Sequence, residues 1–229
     1  MTITLAALRV AARQRADMEN SQFVSDSELN SYINNSIAEL TDVITDAYGS
    51  EYYVVSSGEL PITSNVSTYT LPEDMYQLKG VDIKLENQQY VNVQRFNFNE
   101  RNQYSNFSGW SLSGLTNVRY RIVGNNIIFT PAPDANAVYQ LWYTPIPPQL
   151  ISDSDTFDDV NSYSEYVIVD AAIKMLQKEE SDVSVLFAQK QALEKRIRDK
   201  AGHRDAASSE TITDIYAESN DFFYRRGFR

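Results

Sequence analysis

Residues 160–177 read Val-Asn-Ser-Tyr-Ser-Glu-Tyr-Val-Ile-Val-Asp-Ala-Ala-Ile-Lys-Met-Leu-Gln. As a helix, this segment is apolar almost all the way round, through Tyr163, Tyr166, Val167, Ile168, Val169, Ala172, Ile173, Met175 and Leu176. A helix that is apolar on most faces has to be covered on most faces. One partner helix leaves much of it wet. The segment therefore predicts cover from a sheet on its other side or from neighbouring subunits, and it raises assembly as an early question.

The 229-residue chain has 42% hydrophobic residues, with 15 Tyr and 10 Phe, enough to bury a core in one domain or in one domain carrying a large insertion. Without cysteine there is no disulfide framework, thiolate metal site or cysteine nucleophile, a composition that fits a cytosolic setting. The start, Met1-Thr-Ile-Thr-Leu-Ala-Ala-Leu-Arg9, lacks the basic opening and long apolar run of a secretory signal. No window approaches the roughly 20 apolar residues of a membrane span. The expectation is a soluble protein with no membrane contact.

The net charge of −11 is spread unevenly: 3 basic and 7 acidic groups in 1–50, 6 and 12 in 51–159, 8 and 7 in 160–204, and 3 and 5 in 205–229. No segment is a strong basic patch, so phosphate neutralisation does not drive tight nucleic-acid binding. The acidity reads as solubility or, more sharply, as a surface that lets a polyanion pass without sticking.

Thr4 caps a short first helix with a modest stripe of Leu5, Leu8, Val10, Ala12 and Ala16. Ser25-Asp-Ser-Glu28 is a capping box, with Val24 and Leu29 placed to staple it. Leu29, Ile33, Ile37, Leu40, Val43, Ile44 and Ala47 then follow helical spacing up to Gly49, which predicts a helix over 26–48. From about residue 51 the period changes to two. Strands are expected at 51–57, 67–71, 80–85, 90–96 and 138–143, with a hairpin over 120–129 turning at Gly124-Asn125. Pro72-Glu-Asp74 reads as a turn, residues 99–115 as a loop opened by a short helix, and Pro145, Pro147 and Pro148 as a stop. Ser181 is the expected cap of the last helix. That helix has Val183, Leu186, Phe187, Leu193 and Ile197 on its apolar side, Lys190 among its surface charges, and Gly202 at its end.

The fold class these patterns predict is α+β: an antiparallel helical bundle domain with a large inserted antiparallel β domain and an extended C-terminal arm. The expected boundaries are 1–50 for the N-terminal helices, 51–150 for the β insertion, 151–204 for the helical hairpin that completes the bundle, and 205–229 for the arm.

Catalytic material is thin. His203, the only histidine, follows a terminating glycine and fits a solvated helix end. Asp153-Ser-Asp-Thr-Phe-Asp-Asp159 has the oxygen spacing of a calcium loop. It lacks the glycine at position six and the distal glutamate, where Ser164 stands, and reads better as turn and cap residues. There is no glycine-rich phosphate loop or GxSxG elbow, and nothing singles out a carboxylate pair for glycoside hydrolysis. No catalytic, metal or cofactor site is expected. Tyr104, Phe107 and Trp110 lie in a polar loop and fit either core or a docking surface. The chain end combines Ile212, Ile215, Tyr216, Phe222, Phe223, Tyr224 and Phe228 with Arg225, Arg226 and Arg229. Those residue types are enriched at interface anchors, so the segment reads as an arm that orders on another subunit rather than as a frayed tail.

Four stretches together resemble the head-to-tail adaptor (connector) proteins of tailed bacteriophages, of the short-tailed type: Leu5 to Asn34, the Tyr69-Thr-Leu-Pro-Glu-Asp74 turn, the hairpin ending Ile127-Ile-Phe-Thr-Pro-Ala-Pro133, and Tyr166 to Ser184. The resemblance implies a structural virion protein of the neck, assembled in the host cytoplasm. It implies a ring, usually of twelve copies, seated beneath the portal protein and extending the DNA channel, with genomic DNA passing through the lumen without specific binding. The arm would reach the portal, and the β domain would face outward or toward nozzle or fibre proteins. A different class of function, a carbohydrate-binding or cell-wall-degrading tail protein using the aromatic loop 104–112, is the competing expectation.

Overall fold

The computed structural model describes residues 2–19, 23–85, 88–104, 110–111, 114–115 and 118–201. Strand β1 (Thr2–Thr4) leads into α1 (Leu5–Arg15), which Thr4 caps by accepting from the Ala7 N–H at 3.2 Å. Leu5, Leu8, Ala12 and Ala16 are buried as the stripe predicts, whereas Val10 faces solvent. Helix α2 (Asp26–Tyr48) has the expected bounds. The Ser25 hydroxyl accepts from the Glu28 N–H at 3.3 Å, and Val24 and Leu29 are both fully buried in one cluster. The Glu28 carboxylate is held below its ordinary range chiefly by Lys178, then by the Tyr32 hydroxyl, with the Ser25 N–H a smaller contributor. Gly49 ends the helix at φ 95°, a conformation that other residues adopt only with strain.

Strands follow, with bounds that differ from the sequence pattern. Of 51–57 only β2 (Val55–Ser56) is strand. Tyr52 and Tyr53 turn back onto the helical core instead, with ring centroids 4.7 Å apart edge-on and Tyr48 5.0 Å from Tyr52. Burial of aromatic surface there outweighs a ladder. Next come β3 (Leu60–Ile62), β4 (Thr68–Thr70), β5 (Met75–Lys84), β6 (Tyr90–Asn92) and β7 (Gln94–Arg95). The expected strand 80–85 is thus the second half of a longer one. The expected strand 90–96 breaks at Val93, which is buried and donates its N–H to the Val81 carbonyl at 2.8 Å. A single 3₁₀ turn (Phe98–Glu100) and α3 (Arg101–Tyr104) open the following loop, within which β8 (Trp110–Ser111) pairs with β9 (Gly114–Leu115). The hairpin of β10 (Arg119–Val123) and β11 (Asn126–Thr130) turns at Gly124, φ 60°. Strand β12 (Ala137–Pro145) ends on the first proline of its stop.

The two larger sheets are ordered β4-β11-β10-β7 and β2-β12-β5-β6, with β3 also pairing β12. Every pairing is antiparallel except β10 with β7. Alternate residues of both sheets, Ile127 and Phe129 from one and Val81, Ile83, Tyr139 and Leu141 from the other, share a single apolar cluster.

The chain then re-enters the helical core. Asn34 of α2 grips the backbone of Leu150 from both sides, donating to its carbonyl at 3.0 Å and accepting from its N–H at 2.9 Å. Strand β13 (Thr156–Asp158) pairs with β1, and α4 (Ser164–Lys178) and α5 (Ser184–Ala201) follow. Asp155 accepts from the N–H groups of Ile151 and Ser152, and Asp159 from Ser164, so the Asp153–Asp159 run supplies turn and cap groups. The cap of α5 differs from expectation. Asp182 accepts from the Ser184 N–H at 2.9 Å, while the Ser181 hydroxyl goes to Glu179.

The apolar α4 finds its cover within its own chain, where α1, α2 and α5 pack around it. Tyr166, Val167, Val169, Ala171, Ala172, Ile173 and Met175 are all buried within one chain. Three helices do what one cannot, and the modest stripe of α1 supplies the missing side. The fold is mixed α+β, with one apolar cluster among the helices and another between the sheets.

Candidate functional site

The ten arm residues, Ile212, Ile215, Tyr216, Phe222, Phe223, Tyr224, Arg225, Arg226, Phe228 and Arg229, lie outside the described residues, as do His203 and Phe107. Tyr104 ends α3, and Trp110 opens β8 opposite Leu115. Among the described residues no group of His, Cys, Asp or Glu side chains is placed to hold a metal ion, and no helix is long and apolar enough to cross a membrane.

The densest arrangement of charge is one the sequence reading missed. Asp170 sits in the middle of the apolar α4 with its side chain 4% exposed. One of its oxygens accepts from the Ser36 hydroxyl of α2 at 2.6 Å and from Lys174 at 2.5 Å; the other accepts from Lys190 of α5 at 2.8 Å. Both lysines also reach Glu39 of α2, each at 2.9 Å. Two carboxylates and two ammoniums thus close a neutral ring joining three helices. Lys190, expected on the surface, is instead drawn under the bundle and lies 5.2 Å from the centroid of the Tyr166 ring. The i,i+4 spacing of Asp170 and Lys174 is legible in sequence. The long-range partners Glu39 and Lys190 are not.

Burial pushes the Asp170 carboxyl upward. Hydrogen bonds from Lys174, Lys190 and Ser36 outweigh it and hold the group below the usual range. Glu39 behaves alike: burial and the neighbouring Asp170 charge raise it, and the hydrogen bonds from Lys174 and Lys190 outweigh them, so the net shift is downward. Lys190 is held above its ordinary value by Asp170 and Glu39 despite burial, which opposes it. Asp170, Glu39 and Lys190 therefore stay ionised across the neutral range. Ser36 beside Lys174 (3.1 Å) has the composition of a nucleophile and base, yet Ser36 is fully buried and its hydroxyl is engaged by Asp170 and the Tyr32 carbonyl. The cluster fastens helices. It does not present a nucleophile to solvent.

The outward surfaces carry the remaining signal. Val185 and Phe187 stand exposed on α5, and Tyr76 and Trp142 on the β5/β12 sheet. The Trp142 indole donates to Asp82 at 2.7 Å. A cleft of about 520 Å³ is lined by Leu71, Leu78, Arg95, Tyr120 and Ile122, among residues of β5, β7 and β10. Burial raises the Tyr120 phenol, with Arg95 a smaller opposing influence. None of these places assembles an acid, a base and a nucleophile, whereas exposed aromatic and aliphatic groups on rigid elements are what protein docking needs.

A family model described as SU10 adaptor protein matches residues 3–213. No curated protein matches the chain. The matched span runs from β1 through every helix and strand described above.

Proposed function

The chain belongs to the SU10 adaptor protein family, phage head-to-tail adaptors, and from that membership we propose that it is a non-catalytic component of the virion neck. In this reading a ring of copies, twelve by the usual count, sits beneath the portal and extends the DNA channel toward the tail. Helices of 1–50 and 151–204 form the ring wall. The β insertion, 51–150, faces nozzle or fibre proteins, and the 205–229 arm docks on the portal. Assembly takes place in the host cytoplasm.

The family match is the observation that carries this reading. Several structural features support it. The two separate apolar clusters suit a helical wall bearing an independent β module. Cover of α4 by its own chain suits a subunit that folds before it assembles. The −11 charge suits a lumen that phosphates pass without being retained. The experiment is deletion of residues 205–229, followed by portal binding and imaging of assembled particles. Portal docking should vanish while far-UV circular dichroism stays unchanged. Undiminished binding by the truncated protein refutes the arm assignment, and particles whose neck lacks the protein refute the adaptor role.

A further inference from the structure

Strand pairing gathers positive charge that the sequence disperses. Arg119 and Arg121 are two residues apart on β10, hence on one face, while Tyr120 and Ile122 between and beyond them pack on the β core. Arg101 joins them from α3. The Arg101 and Arg121 guanidiniums lie 4.7 and 5.5 Å from the centroid of the Phe98 ring. Each guanidinium is also oriented by a neutral acceptor. Arg101 donates to the Phe98 carbonyl at 3.1 Å, Arg121 to the Phe96 carbonyl at 3.0 Å, and Arg119 to the Gln94 side chain at 2.7 Å. Phe98 remains 47% exposed and nearby Val123 41%. Residues 88–133 hold four arginines against one acid, Glu100, a net +3 that leaves −14 on the rest of the chain.

The α4–α5 turn has the opposite character. Glu179, Glu180 and Asp182 are all exposed there, and Val185, 69% exposed, stands just beyond on α5. We propose that the Arg101/Arg119/Arg121 face, centred on Phe98, docks on the Glu179–Asp182 turn of a second copy of this chain. The proposal rests on the ring reading and names a contact that would propagate it. Oriented guanidiniums lose little freedom on meeting carboxylates and pair with them in a fork geometry that lysine lacks. An apolar centre, Phe98 against Val185, supplies the desolvated middle that such contacts need. Because the two surfaces differ, the contact is heterologous, and heterologous contacts close into rings. Duplex DNA is the poorer occupant, since about three guanidiniums on a strongly acidic chain neutralise few phosphates.

The absence of cysteine makes the test direct. Full-length Val123→Cys and a tagged Val185→Cys would be mixed at high concentration and treated with a short bis-maleimide. The heterotypic product should exceed either homotypic one by about fivefold and fall steeply in roughly 0.5 M salt. Arg119→Glu with Arg121→Glu in the first partner should suppress it by about tenfold, and Glu179→Arg with Glu180→Arg in the second should restore it. The two cysteine variants keep all three arginines, so the cross-link is readable even where a reversed variant misfolds. Equal homotypic products, indifference to reversal, or no restoration would overturn the contact. So would a salt-sensitive duplex-DNA shift that disappears with the same arginines. If the cross-link fails while imaged particles still hold the protein in the neck, this contact is wrong and the adaptor reading survives.

Discussion

Asp170→Asn keeps the size of the side chain at the centre of the inter-helix ring and removes its charge. The carboxylate, 4% exposed, accepts from Ser36 at 2.6 Å, Lys174 at 2.5 Å and Lys190 at 2.8 Å. An amide offers one accepting oxygen, and its NH₂ then confronts one of the two ammoniums. Hydrogen bonds to charged groups contribute about 1.5–3 kcal/mol each, and breaking a buried ion pair from one side costs about 3–5 kcal/mol. Two features place this site at the low end. Lys174 and Lys190 are themselves 21% and 16% exposed, and both retain Glu39. We expect a loss of about 3 kcal/mol, equivalent to a Tm fall of roughly 6–12 °C for a chain of this size. Urea unfolding followed by far-UV circular dichroism should show a lower midpoint with an unchanged slope. Glu39→Gln, at a side chain 43% exposed, should cost about 1 kcal/mol or less. A loss below about 1 kcal/mol for Asp170→Asn, or one no larger than for Glu39→Gln, would refute the view that the buried carboxylate organises the ring.

Acid should weaken the same helices. Asp170 and Glu39 both sit below the ordinary carboxylate range when folded, so their contribution is fully present above the unfolded value of about 4 and is lost as pH falls through the lower folded values. Thermal unfolding across acidic buffers should show a steady Tm above that range and a decline below it, blunted in Asp170→Asn. Alkali acts through tyrosine. Burial is the main cause that pushes Tyr48, Tyr139 and Tyr166 up to about 12, so stability should hold below about pH 10 and fall as pH climbs toward 12. Phenolate absorbance should show a late-ionising class that merges with the rest in denaturant. Ser25→Ala should cost about 1 kcal/mol in midpoint stability and Ser25→Gly only a few tenths, because the cap on the Glu28 N–H is lost while glycine still permits the turn into α2.

Local signals determined a good deal from the sequence alone. Thr4 and Ser25 set the starts of α1 and α2, Gly49 set the end of α2, and Gly124 set the hairpin, because caps and positive-φ turns depend on groups within four residues. The apolar character of 160–177 correctly marked a helix needing cover on every side. Tertiary structure decided what supplied that cover, and it chose α1, α2 and α5 of the same chain. It also drew Tyr52 and Tyr53 out of an expected strand and onto the helices, moved Lys190 from the surface to Asp170 and Glu39, and brought Arg101 beside Arg121. Each of those outcomes joins residues distant in the chain, and their pairing energy exists only once the backbone has closed the loop between them. Spacing within a segment carries no record of it.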